Sequence, residues 1–139
     1  MLLIIRISGM VHVDSDIEEG LYRLRLRRKY SAVLIHESPV LTKLLVKLRN
    51  HIAYGNIDHE TLVELIEQRG QMKDKKKKID AEKIIQEINK KSSADLSIKP
   101  FFRLHPPRGG IESKKHSGVG KGVLGDNKEK INDLVRRML

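Results

Sequence analysis

Hydrophobic positions in the first 70 residues alternate between a strand pattern and a helix pattern. Leu2-Leu3-Ile4-Ile5-Arg6-Ile7-Ser8 is a nearly continuous apolar run and reads as a strand. Ser15 and Glu18 have capping-box spacing and open a helix, with Ile17, Leu21 and Leu24 as its apolar stripe. Tyr30 to His36, centred on Ala32-Val33-Leu34-Ile35, reads as a second strand. Ser38 can cap the next helix, with Pro39 at its first position. There Val40, Leu41, Leu44, Leu45 and Leu48 are expected to face inward, and Lys43, Lys47 and Arg49 to face water. Ile52 to Ile57 is a short third strand weakened by Gly55. Asp58 caps a further helix with Leu62, Leu65 and Ile66 on one face, and Gly70 stands where its C-terminus is expected.

The order β-α-β-α-β predicts an α/β (α+β) fold. It is a small three-stranded sheet of ferredoxin-like type, with two helices covering one face. Residues 71–78 break the pattern with a polar run ending in Lys75 to Lys78. Asp80 to Lys91 reads as a helix on Ile84, Ile85 and Ile88, ended by Ser92 and Ser93. An extended segment and a glycine-rich loop follow, and Glu129 to Met138 forms a terminal helix on Ile131, Leu134, Val135 and Met138. The expected organisation is thus a core over residues 1–70 and a basic extension over residues 71–139 packed on it.

Charge sharpens this division. The chain has 139 residues, 28 Lys/Arg and 18 Asp/Glu, a formal net charge of +10. Residues 1–70 hold 10 Lys/Arg and 9 Asp/Glu, whereas residues 71–139 hold 18 and 9. A net of +9 on the second half points to a polyanionic partner bound by an extension on a nearly neutral core. There is no cysteine, so disulfides and thiolate metal sites are excluded. No stretch approaches the roughly 20 apolar residues of a membrane span, and the expected location is the cytoplasm.

Catalytic chemistry is poorly represented. Gly120-Lys121-Gly122-Val123-Leu124-Gly125 fits a dinucleotide-binding spacing, but no apolar strand precedes it and no second strand with an acid can follow. Lys121 is followed by glycine and not by the Ser/Thr of a phosphate loop. None of the six histidines has paired-ligand spacing. The carboxylates Asp58, Glu60, Glu64 and Glu67 read as helix-dipole partners and a solvated face. No enzyme activity, cofactor, metal or small-molecule substrate is expected.

Cationic chemistry is concentrated in two places. Arg23, Arg25, Arg27, Arg28 and Lys29 put five bases into seven residues at the end of the first helix. The second place is Lys99-Pro100-Phe101-Phe102-Arg103-Leu104-His105-Pro106-Pro107-Arg108-Gly109-Gly110, which has no acid. Its prolines force an extended path and its glycines let bare backbone approach a surface. Lys114, Lys115 and Lys121 continue the basic character in a loop over residues 109–125 that is expected to be open without a ligand. Arg136 and Arg137 end the terminal helix. Rigid turns and cations suit closely spaced phosphates. Aromatic content is only 4%, so recognition through phosphates, riboses and RNA shape is expected rather than base-by-base stacking.

Ile5-Arg6-Ile7-Ser8-Gly9, Leu24-Arg25-Leu26, Ser38-Pro39, Tyr54-Gly55-Asn56-Ile57-Asp58, Glu64-Leu65-Ile66 and Arg69-Gly70 together resemble the L-thirty family of large-subunit ribosomal proteins. Phe102-Arg103-Leu104-His105-Pro106-Pro107-Arg108-Gly109-Gly110 and Ile131-Asn132-Asp133-Leu134-Val135-Arg136-Arg137-Met138 look like the archaeal branch. Eukaryotic relatives carry a long basic N-terminal arm, and bacterial relatives resemble only the first unit. Residues 71–98 look shorter than in typical archaeal members, and Asp126-Asn127-Lys128 stands where an Asn-Arg pair is more usual. The resemblance implies a non-enzymatic structural protein on large-subunit ribosomal RNA, close to the 5S RNA and to neighbouring ribosomal proteins. The competing expectation is a non-ribosomal basic protein that compacts DNA or chaperones RNA.

Overall fold

The computed structural model describes residues 1–74, 78–90 and 96–139. The β-α-β-α-β order is present as β1 (Leu2–Arg6), α1 (Ser15–Arg23), β2 (Ser31–Ile35), α2 (Pro39–Leu48) and β3 (Ile52–Asn56). It continues as α3 (His59–Arg69), α4 (Ala81–Lys90), β4 (Phe102–Arg103), β5 (Ser113–His116) and β6 (Gly122–Asp126). A single 3-10 turn, Lys128–Lys130, leads into α5 (Ile131–Met138). Of the expected run Lys75 to Lys78, residues 75–77 lie outside the described residues, as does the helix stop at Ser92 and Ser93.

Among the described residues the sheet has six strands in the order β4-β2-β1-β3-β6-β5, which corrects the expected three. β1 lies antiparallel between β2 and β3. A three-stranded sheet would leave both outer strands with unpaired backbone groups. The second half of the chain caps them: β4 pairs antiparallel with β2 through Ser31–Arg103 and Ala32–Phe102, and β6 pairs in parallel with β3 through Ala53–Gly125 and Tyr54–Asp126.

Both faces of the sheet are covered, where only one was expected. Leu3, Ile5 and Ile7 pack with Leu65, Ile84 and Val135, whereas Leu2 and Ile4 pack with Leu21, Leu41 and Leu45. Helices α3, α4 and α5 thus lie on one face and α1 and α2 on the other. This is why β1 reads as a continuous apolar run and not as an alternation.

Local readings also change. Asp14, not Ser15, holds the cap position of α1, and its side chain makes no cap bond. Ser38 does cap α2, its Oγ accepting from the Leu41 N–H at 3.2 Å. Val40 is 79% exposed, because the buried stripe of α2 is Leu41, Leu45 and Leu48, with Leu44 half-buried. The expected open loop over residues 109–125 is corrected to two paired strands. Its apolar pair Val123-Leu124 reaches the core, and Gly125 takes a φ of +84° next to β3.

Two residues join the halves of the molecule. A Cβ on Gly55 would collide with the Lys128 carbonyl, so glycine in β3 lets the 3-10 turn and Ile131 approach the sheet. Asn132 is buried, and its Oδ1 accepts from the Asp58 N–H at 2.9 Å. Its Nδ2 donates to the carbonyls of Asn56 at 3.2 Å and Glu129 at 2.9 Å. Asn132→Ala removes the buried amide that serves the Asp58 N–H and the Asn56 and Glu129 carbonyls, and is expected to destabilise the fold by about 1–3 kcal/mol, read from chemical denaturation.

Candidate nucleic-acid interface

The guanidinium of Arg6 underlies the first basic segment. Arg6 ends β1 and is 2% exposed. Its Nη1 donates to the Leu26 carbonyl at 2.8 Å, its Nη2 to the Gly9 carbonyl at 2.8 Å and its Nε to the Ser8 carbonyl at 3.2 Å. Its own carbonyl accepts from the Tyr30 N–H at 2.7 Å. Burial pulls the guanidinium below its ordinary pKa, and Glu18 partly opposes this. Arginine remains charged in proteins, so the three carbonyls solvate a buried cation.

The connection from α1 to β2 is thereby held without a glycine. Leu24 and Leu26 are buried and alternate with exposed Arg25 and Arg27. Arg25 and Tyr30 both take left-handed backbone, each with φ 62°. The Leu26 N–H bonds the Leu21 carbonyl at 2.9 Å, and the Ser31 N–H bonds the Arg28 carbonyl at 3.2 Å. Arg27 stacks on Tyr22 at 4.2 Å, and Lys29 lies 4.9 Å from the Tyr30 ring centroid.

The second basic segment is fixed by the end of α5. The Leu104 N–H bonds the Tyr30 carbonyl at 3.0 Å, directly after β4. The His105 N–H then bonds the Met138 carbonyl at 3.0 Å, and the Arg108 N–H bonds the Arg137 carbonyl at 2.8 Å. Arg137 returns the contact: Nε donates to the Arg108 carbonyl at 3.0 Å and Nη2 donates to the Gly110 carbonyl. Gly109 and Gly110 have φ values of +77° and +73°, which the turn after Pro107 requires.

Strand register brings the basic segments to one end of the sheet. β1 finishes where β2 and β3 begin, because Ile5 faces Ala32 and Arg6 faces Ile52. Residues 26–30 enter β2 at this end, and β4 leaves toward His105 at this end. Gly125 faces Ala53, so Gly122 and Val123 project past the start of β3 and carry the β5–β6 turn outward. Arg23 lies farther back, beside Val33 to His36 of the β2 flank, and Arg25 borders both that flank and the basic end. At the opposite end, the residues after β2 and β3 include Glu37, Asp58 and Glu60.

The candidate cations differ in how they are engaged. Arg23 pairs with Glu19 at 2.5 Å, and Lys121 pairs with Glu112 at 3.1 Å. Arg136 reaches Glu60 at 3.6 Å and Glu64 at 3.8 Å on α3. The Lys99 Nζ donates to Gln71 Oε1 at 3.1 Å. Among the described residues, no carboxylate pairs with Arg25, Arg28, Arg103, Arg108, Lys114 or Lys115, all of them exposed. A cleft of about 250 Å³ joins the two segments, lined by Arg25, Arg27, Arg28, Ser31, Phe101 and Arg103. Sequence reasoning missed Arg6 and Phe101 as contributors. The signal for Arg6 was a charge inside an apolar strand, which demands buried partners.

Chemically, the site is a rigid scaffold presenting fixed cations. Among the described residues, no group of three or more His, Asp or Glu side chains can hold a metal ion, and no helix is long and apolar enough to cross a membrane.

Comparison with known proteins assigns the family. No protein-family model matches the chain. It is 40% identical over 152 residues to large ribosomal subunit protein uL30 of Methanobrevibacter smithii, covering all of both chains. It is 37% identical to uL30 of Hyperthermus butylicus, covering 98% of this chain and 88% of that one. It is 38% identical to uL30 of Aeropyrum pernix, covering 98% and 97%. The chain belongs to the uL30 family of large-subunit ribosomal proteins, which are structural proteins and not enzymes. The relatives are archaeal, as the tail motif suggested.

Two tests follow from this geometry. Arg6→Met leaves the carbonyls of Leu26, Ser8 and Gly9 without their charged donor, and a loss of about 2–3 kcal/mol is expected in chemical denaturation. The second concerns His51, whose Nδ1 lies 3.0 Å from Ser8 Oγ. Burial, and then Arg6, lower its pKa, with Asp14 opposing. The folded state therefore disfavours the imidazolium, while the unfolded chain takes a proton near the ordinary value of about 6.5. The unfolded state binds more protons below that pH, so stability is lost as pH falls through it. The melting temperature is expected to drop between pH 7.5 and 5.5, and His51→Gln is expected to flatten that dependence.

Proposed function

We propose that this constituent of the large ribosomal subunit binds large-subunit ribosomal RNA through the basic end of its sheet. The turn with Arg25, Arg27, Arg28 and Lys29 and the segment from Arg103 to Gly110 form the main surface, and Lys114, Lys115 and Lys121 extend it along the β5–β6 pair. Residues 1–70 act as the scaffold, and residues 71–139 bring most of the net charge. Arg136, Arg137 and Lys99 hold the surface in place while remaining close enough to add to its potential. The 5S RNA and adjacent ribosomal proteins are the neighbours this family membership implies, and the ribosome of the cytoplasm is its location.

The observation that carries the reading is the set of exposed arginines without carboxylate partners. Like charges held together on a rigid surface repel one another, so their placement weakens the isolated fold and gains a counterpart only when an anion binds. Backbone rigidity adds to the case, since the ordering entropy of residues 24–31 and 104–110 is met within the free protein.

The test is co-sedimentation of the protein with large ribosomal subunits of a related archaeon. Retention through a high-salt wash is expected, and release into the free fraction together with all loosely held basic proteins would contradict a constituent role. With isolated ribosomal RNA, about six phosphate contacts give a log–log salt slope of about −4 to −5, and a slope near zero would contradict the electrostatic account. Arg108→Ala is expected to leave the melting temperature unchanged, because the Arg108 main chain and not its side chain engages Arg137. It should weaken RNA binding and reduce the slope by about 1.

A further inference from the structure

We propose that the arginine cleft beside β4 receives a single unstacked nucleotide, its base against Phe101 and its phosphate among the arginines. This rests on the RNA-binding reading above and adds to it a contact that senses a base.

The lining of the cleft argues for this ligand. Four arginines, one phenylalanine and one serine form its walls, and no carboxylate is among them. Arg25, Arg28 and Arg103 have no ionic partner among the described residues. Phe101 is half-buried: it packs against the core cluster beneath α1 and α2 and also lines the cleft. The Arg103 guanidinium lies 5.9 Å from the ring centroid, at the outer limit of a cation–π contact, so the pair is loose and not a closed stack. Arg27 is already stacked on Tyr22 and presents a guanidinium plane at a set height. Ser31, largely buried at the cleft wall, has a hydroxyl that can donate to or accept from a ribose or base edge reaching it.

A bare phosphate chain would use the arginines and gain nothing from Phe101. An apolar ligand would use Phe101 and gain nothing from four cations. A nucleotide uses both, since bases stack on aromatic and guanidinium planes while Arg forks onto phosphate oxygens. The cleft of about 250 Å³ has room for one base beside Phe101. The low aromatic content of the chain argued against a stacking surface, but one ring in the right cleft is enough for one base.

The experiment uses the full chain and three probes: an oligoadenylate RNA octamer, inorganic polyphosphate of matched charge and an octaglutamate peptide. The octamer is expected to bind about tenfold more tightly than the other two, in the range that one stacked base supplies. Phe101→Leu should remove that preference and leave polyphosphate and octaglutamate affinities unchanged, and Phe101→Tyr should retain it. Arg103→Gln, at an exposed position, should weaken octamer binding more than polyphosphate binding. Polyphosphate bound as tightly as the octamer, octaglutamate bound as tightly, or equal losses for all probes in Arg103→Gln would each overturn the proposal. Retention on ribosomal subunits without any octamer preference removes the cleft assignment alone. An octamer preference that depends on Phe101, without retention on subunits, upholds the cleft and removes the ribosomal RNA reading.

Discussion

A cation at the end of the central strand organises this molecule. Arg6 lies where a neutral residue would leave three backbone carbonyls unpaired, and it binds the loop after β1 and the turn before β2 in one grip. A buried charge costs several kcal/mol unless it is fully hydrogen-bonded, so the loops are held to the geometry that satisfies it. Arg25 and Tyr30 stay in left-handed backbone because their neighbours Leu24, Leu26 and Ser31 are buried around that grip. One internal arginine thus sets the directions of several external ones.

The second half of the chain does more than add charge. Ile98, Phe102, Leu104, Leu124, Val135 and Met138 are all in the core cluster that covers one face of the sheet. β4 and β6 cover the outer edges of β2 and β3, and Asn132 and Gly55 fix α5 against β3. The end of α5 then holds His105 and Arg108 by their N–H groups. The carbonyl end of a helix is a poor place for a phosphate, but here its free acceptors are consumed by the segment that carries the cations. Scaffold and candidate surface are consequently one packing problem.

The first half of the fold was readable because its periods are clean. Ser38-Pro39 has a local cap to predict, and Leu41, Leu45 and Leu48 have a local stripe; Val40 was misread because a run of apolar residues on a helix is wider than its buried line. The second half was not readable for a non-local reason. β4 has only two residues, and β6 is a strand because β3 offers an edge and Gly125 can lie against it. The basic segments were visible in composition, but their division of labour was not. Whether Arg136 faces Glu60 and Glu64 or an external anion depends on how α3 and α5 meet, and no spacing within either helix encodes that. The same holds for the cleft, which joins residues 25–31 to residues 101–103 across a strand pair.

The central claim is that the basic end of the sheet is the RNA surface and that it is already formed in the free protein. Amide hydrogen exchange on the full chain, free and bound to large-subunit RNA, measures both parts at once. The N–H groups of Leu26, Ser31, Leu104, His105 and Arg108 should exchange slowly in the free protein, because they are bonded to the carbonyls of Leu21, Arg28, Tyr30, Met138 and Arg137. Binding should deepen protection there and in the β5–β6 turn, with residues 36–39 and 57–60 at the other end unchanged. Protection that appears first at residues 36–39 and 57–60, with the basic end indifferent to RNA, would contradict the account.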